Sequence, residues 1–270
     1  MSDRAAPLYG PPPTEIPLPR APLASVLWQV RFPSQGTLVP KPNEFAPDLI
    51  TAIQQDLKSV YPIFHKQFGH TVEVNDGQPE VRENAGLWRF SSIDNNWHVS
   101  VARNFVSLQT TKYTSRADFV SRTGKILEAI QKRLDPGAAT RIGVRYVNRV
   151  ALDGVDICKM VRTSAFGLFA DPELQAAIQH SASEILLTTE EGALMLKSLV
   201  LPENATHDPS VLPPIPQRSW AMDFDLFSEE PREFDVVALE QAISSYCKRI
   251  YAVFCWVVED DFIKHFGGKR

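Results

Sequence analysis

The order of alternating and helix-spaced segments predicts an α+β protein made of two fused, related units. Each is a β-α-β(3-4)-α run with an antiparallel sheet and its helices on one face. Three observations carry that reading. Apolar and polar residues alternate with period two in several short runs; apolar stripes at three- and four-residue spacing occur in long segments preceded by capping residues; and the series strand, helix, strands, helix is met twice along the 270 residues. Composition agrees with a packed body: 44% of residues are hydrophobic and 22% charged, close to average globular usage.

Residues 1–23 form a Pro-rich arm containing Pro7, Pro11, Pro12, Pro13, Pro17, Pro19 and Pro22. Proline fixes φ and lacks a backbone donor, so the arm is extended, either a mobile tail or a strap along the body. The first unit spans residues 24–137. Its opening strand alternates Ala24, Val26, Trp28, Val30 and Phe32 with Ser25, Leu27, Gln29 and Arg31. A helix over residues 47–60 follows, with Leu49, Ile50, Ile53, Leu57 and Val60 on one side, and Pro62 ends it. Strands are expected at 71–74, 87–91, 97–103 and 106–111, with turns at Asp94-Asn95-Asn96 and Arg103-Asn104 because Asn and Asp tolerate left-handed backbone. Ser115 caps a second helix, Asp118 sits three residues on, and Pro136-Gly137 stops it after a stripe of Phe119, Ile126, Leu127, Ile130 and Leu134.

The second unit spans residues 138–270. A long strand over 140–152 leads to a short helix opened by Asp171-Pro172. Strands follow at 184–189, 193–201 and 219–227, then a long helix capped by Asp235 and a last short one at 260–266. Between two of these strands, Pro202–Arg218 holds five prolines and reads as a long irregular loop, a length often tied to function. The layout resembles the TATA-binding-protein-like and helix-grip architectures, a likeness that carries no function by itself.

Charge and motifs exclude several classes. With 28 Lys+Arg against 32 Asp+Glu, the net charge is −4, which argues against a bulk polyanion binder while leaving room for a local basic patch. Cys158, Cys247 and Cys255 are odd in number and lack C-x-x-C spacing, so neither a disulfide framework nor a zinc site is indicated; Cys247 and Cys255 lie in an apolar helical run as small hydrophobes. The opening Met-Ser-Asp-Arg has no apolar h-region, and the longest apolar run, Ile250 to Val258, is about half a bilayer span. A cytoplasmic protein with no membrane partner is expected. His65, His70, His98, His180, His207 and His265 show no metal-ligand spacing, and G-x-S-x-G, S-x-x-K and phosphate-loop patterns are missing. No catalytic residue, metal or cofactor is assigned. The acidic runs Glu190-Glu191, Glu229-Glu230 and Glu259-Asp260-Asp261 fall at turns and helix starts, where solvation and the helix dipole account for them.

The most distinctive segment is Arg141-Ile142-Gly143-Val144-Arg145-Tyr146-Val147-Asn148-Arg149-Val150. Side chains alternate along a strand, so Arg141, Arg145 and Arg149 emerge on one face about 13 Å apart. Two readings are open. The row is either a binding face for an anionic small ligand, nucleic acid or partner protein, since guanidinium offers planar bidentate donors, or a cross-strand salt-bridge lattice with Asp223 and Asp225. The R-x-G-x-R-Y-x-N-R strand, with upstream Leu57-x-x-x-Tyr61-Pro62 and the Trp88–Tyr113 block, resembles a sporadically distributed bacterial family of uncharacterised proteins across most of residues 24–266. That resemblance implies an accessory, patchily inherited bacterial gene, of a kind associated with phage defence or toxin–antitoxin-like systems. The expected function is therefore a non-enzymatic binding or regulatory protein acting through a sheet face. A hydrolase or nuclease with a dispersed acidic site, or a structural homo-oligomer pairing one sheet edge with its copy, are the alternatives.

Overall fold

The computed structural model describes residues 7–34, 47–67, 70–75, 78–83 and 87–269. Its elements in chain order are β1 (Leu23–Arg31), α1 (Pro47–Leu57), β2 (Ile63–Gln67), β3 (His70–Asn75), β4 (Gln78–Glu83), β5 (Leu87–Ser91), β6 (Trp97–Ala102), β7 (Phe105–Thr110), α2 (Arg116–Leu134), β8 (Ala138–Ala139), β9 (Arg141–Ala151), β10 (Ser181–Thr188), β11 (Ala193–Leu201), β12 (Ser219–Ser228), β13 (Arg232–Glu233), α3 (Val236–Val257) and α4 (Asp260–His265). The protein is α+β: nine strands form one large antiparallel sheet in the order β10-β11-β12-β9-β1-β7-β6-β5-β2, with helices packed against it. In both halves the opening strand lies beside the last strand of its meander, β1 beside β7 and β9 beside β12.

Two compact units make up the chain. Unit I comprises Leu27–Ile142 and Glu229–Gln241; unit II comprises Met1–Val26, Gly143–Ser228 and Ala242–Arg270.

In unit I, β1 buries Trp28 and Val30 by alternation, and β6 and β7 bury Val99, Val101, Val106 and Leu108 the same way. Helix α2 begins as its sequence requires: the Ser115 hydroxyl accepts from the Asp118 backbone N–H at 3.2 Å, a cap whose loss costs about 1 kcal/mol. It ends at Asp135 in left-handed backbone (φ 42°), the position at which chains leave a helix. Its buried stripe includes Phe119, Ile126, Leu127 and Ile130, and Phe119 meets Trp97 of β6 at 6.3 Å between ring centres. Helix α1 ends at Leu57, three residues short of the expectation. Its predicted last apolar residue, Val60, is exposed, so nothing holds a further turn. Two strands are present that alternation did not disclose. β2 is short and follows Pro62, and β4 carries Pro79 with three charged residues and, among the described residues, pairs with β3 alone, a composition that reads as loop.

In unit II the predicted helix after Asp171-Pro172 is not formed. Three 3₁₀ turns at Ile157–Lys159, Thr163–Ala165 and Gly167–Ala170 and a run of turns occupy that stretch. Residues 171–180 are mostly exposed, and Leu174, which with Ala177 and Ile178 would form a helical stripe, stays 44% exposed, so tertiary packing gives a helix little support. By contrast α3 starts where expected, with Asp235 accepting the Ala238 N–H at 2.7 Å. It buries Tyr246, Cys247, Ile250, Phe254 and Cys255, and Phe254 meets Phe224 of β12.

Among these apolar residues α3 also buries Arg249, 2% exposed. Its Nε donates to Glu191 at 2.8 Å, Nη2 to Glu190 at 3.0 Å, and Nη1 to the carbonyls of Pro7 and Gly10 at 3.0 and 2.9 Å. A buried guanidinium is tolerated when its charge and donors are met, and here two carboxylates and two carbonyls take four of its five N–H groups. The arm is therefore a strap on unit II, helped by the Ile16 N–H bond to the Tyr251 hydroxyl at 2.7 Å. Glu190 and Glu191 are presented by a turn that needs Gly192, since a Cβ there would lie 2.3 Å from the Phe227 carbonyl oxygen.

Candidate functional site

The sequence singled out Arg141, Arg145 and Arg149, and β9 is extended through all three. In unit II, Arg145 makes a bidentate pair with Asp223 of β12, Nε to Oδ1 at 2.9 Å and Nη2 to Oδ2 at 2.7 Å. Its Nη1 donates to Asp208 at 2.9 Å. Burial alone would disfavour the charge, but the bonds and field of Asp223 and Asp208 outweigh it and raise the pKa well above its ordinary value. Asp208 is likewise held below its usual carboxylate value: burial opposes this, while Ser210 and Arg145 bond the ionised form.

Arg149 is engaged by neutral groups. Nε donates to the Ser219 hydroxyl at 3.0 Å, Nη2 to the Ala205 carbonyl at 3.0 Å, and Nη1 to the Pro213 carbonyl. Burial pushes its pKa down. Ala205, Asp208 and Pro213 all belong to the long Pro-rich loop, which also buries Val211 and Leu212. Arg145 and Arg149 thus fasten that loop over the β9–β12 face. Arg141 falls in unit I, 4.0 Å from Glu229. Asp225, expected beside Asp223, is half-buried on the same strand.

The sheet face of unit I is built otherwise. Strand registers place His65 of β2 opposite Arg89 of β5, Arg89 opposite Ser100 of β6, and Ser100 opposite Ser107 of β7. The next row is Ile63, Ser91, His98 and Gln109. Residues paired across strands lie about 5 Å apart on a common face, so Arg89, His98, His65 and three serines share one face, with Ser91 and Ser100 buried in it. The opposite face carries the aromatic packing: Phe64 stacks on Trp88 at 5.5 Å, and Lys66 lies 5.0 Å from the Trp88 ring.

Strands β1, β2, β5, β6 and β7 hold Arg31, His65, Lys66, Arg89 and His98 and not one Asp or Glu. Neither β5 nor the strands paired with it, β2 and β6, supply Arg89 with a carboxylate. Its Nε is buried without a hydrogen-bond partner, and burial lowers its pKa with nothing opposing. His98 is half-buried, its Nδ1 2.8 Å from the Ser91 hydroxyl. Burial, then the charge of Arg89, holds its pKa below the ordinary histidine value.

What this surface can do is accept negative charge. A guanidinium, two imidazoles and neighbouring hydroxyls supply donors, while the Asp94 carboxylate bears on His98 with the opposite charge. Sequence reasoning passed over this site because each of its residues is ordinary alone. The signal was compositional: five strands without an acidic residue. Among the described residues no group of three His, Cys, Asp or Glu could hold a metal ion, and no helix is long and apolar enough to cross a membrane. The sequence matches no protein-family model and no curated protein.

Proposed function

We propose that this chain is a non-enzymatic binding protein that takes an anionic group, from a small ligand or a partner's surface, on the sheet face of unit I. The observation that carries the proposal is Arg89: a half-buried guanidinium with an unpartnered buried Nε, among strands devoid of carboxylates. An uncompensated buried charge is a cost to the fold that an arriving anion removes. Phosphate or carboxylate matches the planar donor geometry of guanidinium, with Ser100 and His98 at hand for further hydrogen bonds. The resemblance of the β9 segment to a patchily distributed bacterial family suggests an accessory system, acting in the cytoplasm, as the setting.

Inorganic phosphate is the simplest probe. Titrated into the full chain and followed by backbone amide shifts, it is expected to perturb β5, β6 and β7 around Arg89, Ser100 and Ser107, with affinity at least tenfold weaker in Arg89→Met. Shifts that spare these strands, or an Arg89→Met chain that binds phosphate as well as the parent, would overturn the assignment.

A further inference from the structure

The sheet of this protein ends at β10, an eight-residue strand whose outer edge has no strand neighbour among the described residues; at its far end the Thr188 carbonyl accepts from the Tyr9 hydroxyl at 3.0 Å. Edge strands expose a row of unpaired N–H and C=O groups, and proteins commonly blunt them with proline, lysine, a bulge or a covering segment. β10 reads Ser-Ala-Ser-Glu-Ile-Leu-Leu-Thr and carries neither proline nor lysine. It pairs with β11 without a bulge through all eight residues, Ser181 opposite Val200 to Thr188 opposite Ala193. Adjacent residues point to opposite faces, yet Ile185 is 45% and Leu186 60% exposed. The strand is therefore exposed on both faces at its centre, while Ser181, Ser183 and Leu187 are half-buried. Its one charged residue, Glu184, is neutralised within the chain by Lys197 of β11 at 2.9 Å.

We infer that β10 is a self-association strand, and that two copies of this chain join β10 to β10 in antiparallel fashion to make one continuous sheet. Self-complementarity favours a second copy over another protein's strand: the edge offers an apolar tripeptide, Ile185-Leu186-Leu187, and no net charge to attract an oppositely charged partner. Geometry then selects the register. A two-fold axis normal to the sheet brings together residues of the same parity, because only those project to a common face. An axis through Glu184 sets two carboxylates against each other, and one through Ile185 sets each Glu184 against an apolar side chain. An axis through Leu186 sets it against the partner's Leu186, Ile185 against the partner's Leu187, and Glu184 against the partner's Thr188, whose carbonyl the Tyr9 hydroxyl releases on pairing. That register matches apolar with apolar and polar with polar. This inference concerns unit II alone and is independent of the anion site around Arg89.

Sedimentation of the full chain across concentrations about tenfold either side of 10 µM tests it. The expected result is reversible growth from the 30.3 kDa monomer to twice that mass, abolished in Leu186→Lys with the circular dichroism spectrum unchanged. A Leu186→Cys chain is expected to cross-link to its own copy on mild oxidation, since paired residues of neighbouring strands fall within disulfide reach. Ile93→Cys, at a position 82% exposed in a turn of unit I, stays uncross-linked. A parent chain that remains monomeric throughout, a dimer that survives Leu186→Lys, or Leu186→Cys cross-linking no faster than Ile93→Cys would each overturn the proposal.

Discussion

Two arginines of this protein stand on sheet strands in similar half-buried settings and have opposite fates. Arg145 of unit II meets Asp223 and Asp208, and its charge is fixed more firmly than in water. Arg89 of unit I meets no carboxylate among the described residues, and burial weakens its hold on the proton. The residue type is the same and the backbone setting is the same; what differs is whether the chain itself supplies the counter-charge. Where it does, the guanidinium is a fastening for a loop. Where it does not, the guanidinium is the group to which the proposed anion is assigned. An arginine strand legible in sequence is therefore less informative than the distribution of acids around it.

The sharpest way to break this comparison is to remove the counter-charge from unit II. Asp223→Ala leaves Arg145 with Asp208 alone, and truncating one partner of a buried pair typically costs about 3–5 kcal/mol. Urea denaturation is expected to show a loss of that order, whereas replacing both partners, Arg145→Met with Asp223→Leu, recovers most of it. If the single and double variants are equally unstable, the pair is not what secures the face. A smaller effect is expected at Arg149, whose partners are neutral. Arg149→Ala should cost about 1–3 kcal/mol, the penalty for leaving buried hydrogen-bond partners unmet. Limited proteolysis should then cut first within residues 202–218, and a variant loop as resistant as the parent would separate the loop from its proposed fastening.

Unit I should respond in the opposite sense. Arg89→Met removes a charge that nothing compensates while keeping the aliphatic stem, so stability is expected to stay the same or rise by up to about 1 kcal/mol. A loss of several kcal/mol in Arg89→Met would mean that the residue is structural after all, and the contrast between the faces would collapse.

Much of this fold could be read from local chemistry. Ser115 and Asp235 announce their helices because a cap acts within three residues, and Trp28, Val30 and Val144 announce their strands because alternation is local too. The partners of Arg145 could not be read in the same way: Asp208 and Asp223 lie 63 and 78 residues away, and only strand order and the course of the loop bring them together. Asp223 was foreseen as an acid on a late strand, but Asp208 sits in a loop where no periodicity marks it. Arg249 illustrates the converse case. A lone arginine in an apolar helical run is a visible signal, yet its use depends on an arm 239 and 242 residues distant. Arg89 was visible as a member of a strand, but a strand's own sequence does not disclose which residues will stand beside it.

The finest discrimination between the faces is their pH response. His98 has a folded pKa below its ordinary value of 6.5, through burial and then the charge of Arg89, with a hydrogen bond to the Asn95 backbone and the charge of Asp94 acting the other way. The unfolded chain therefore takes up a proton near pH 6.5 that the folded chain resists, so stability from unit I is complete above about pH 6.5 and declines as the pH falls from there toward the folded value. Asp208 has the opposite charge type: its folded pKa lies below 3.8, so its contribution is present above that value and declines only as the pH falls through and below it. The two faces thus weaken in separate windows, unit I first on acidification. Phosphate bound at Arg89 would offset the repulsion that His98 feels and raise its pKa, shrinking the upper window and leaving the lower one unchanged. Histidine ring shifts followed across the titration, with and without phosphate, and urea midpoints of parent and His98→Gln at pH 7.5 and 5.5 measure both effects. If the parent loses no more stability than His98→Gln between those two values, His98 does not carry the upper window and the electrostatic contrast between the faces fails at its most sensitive point.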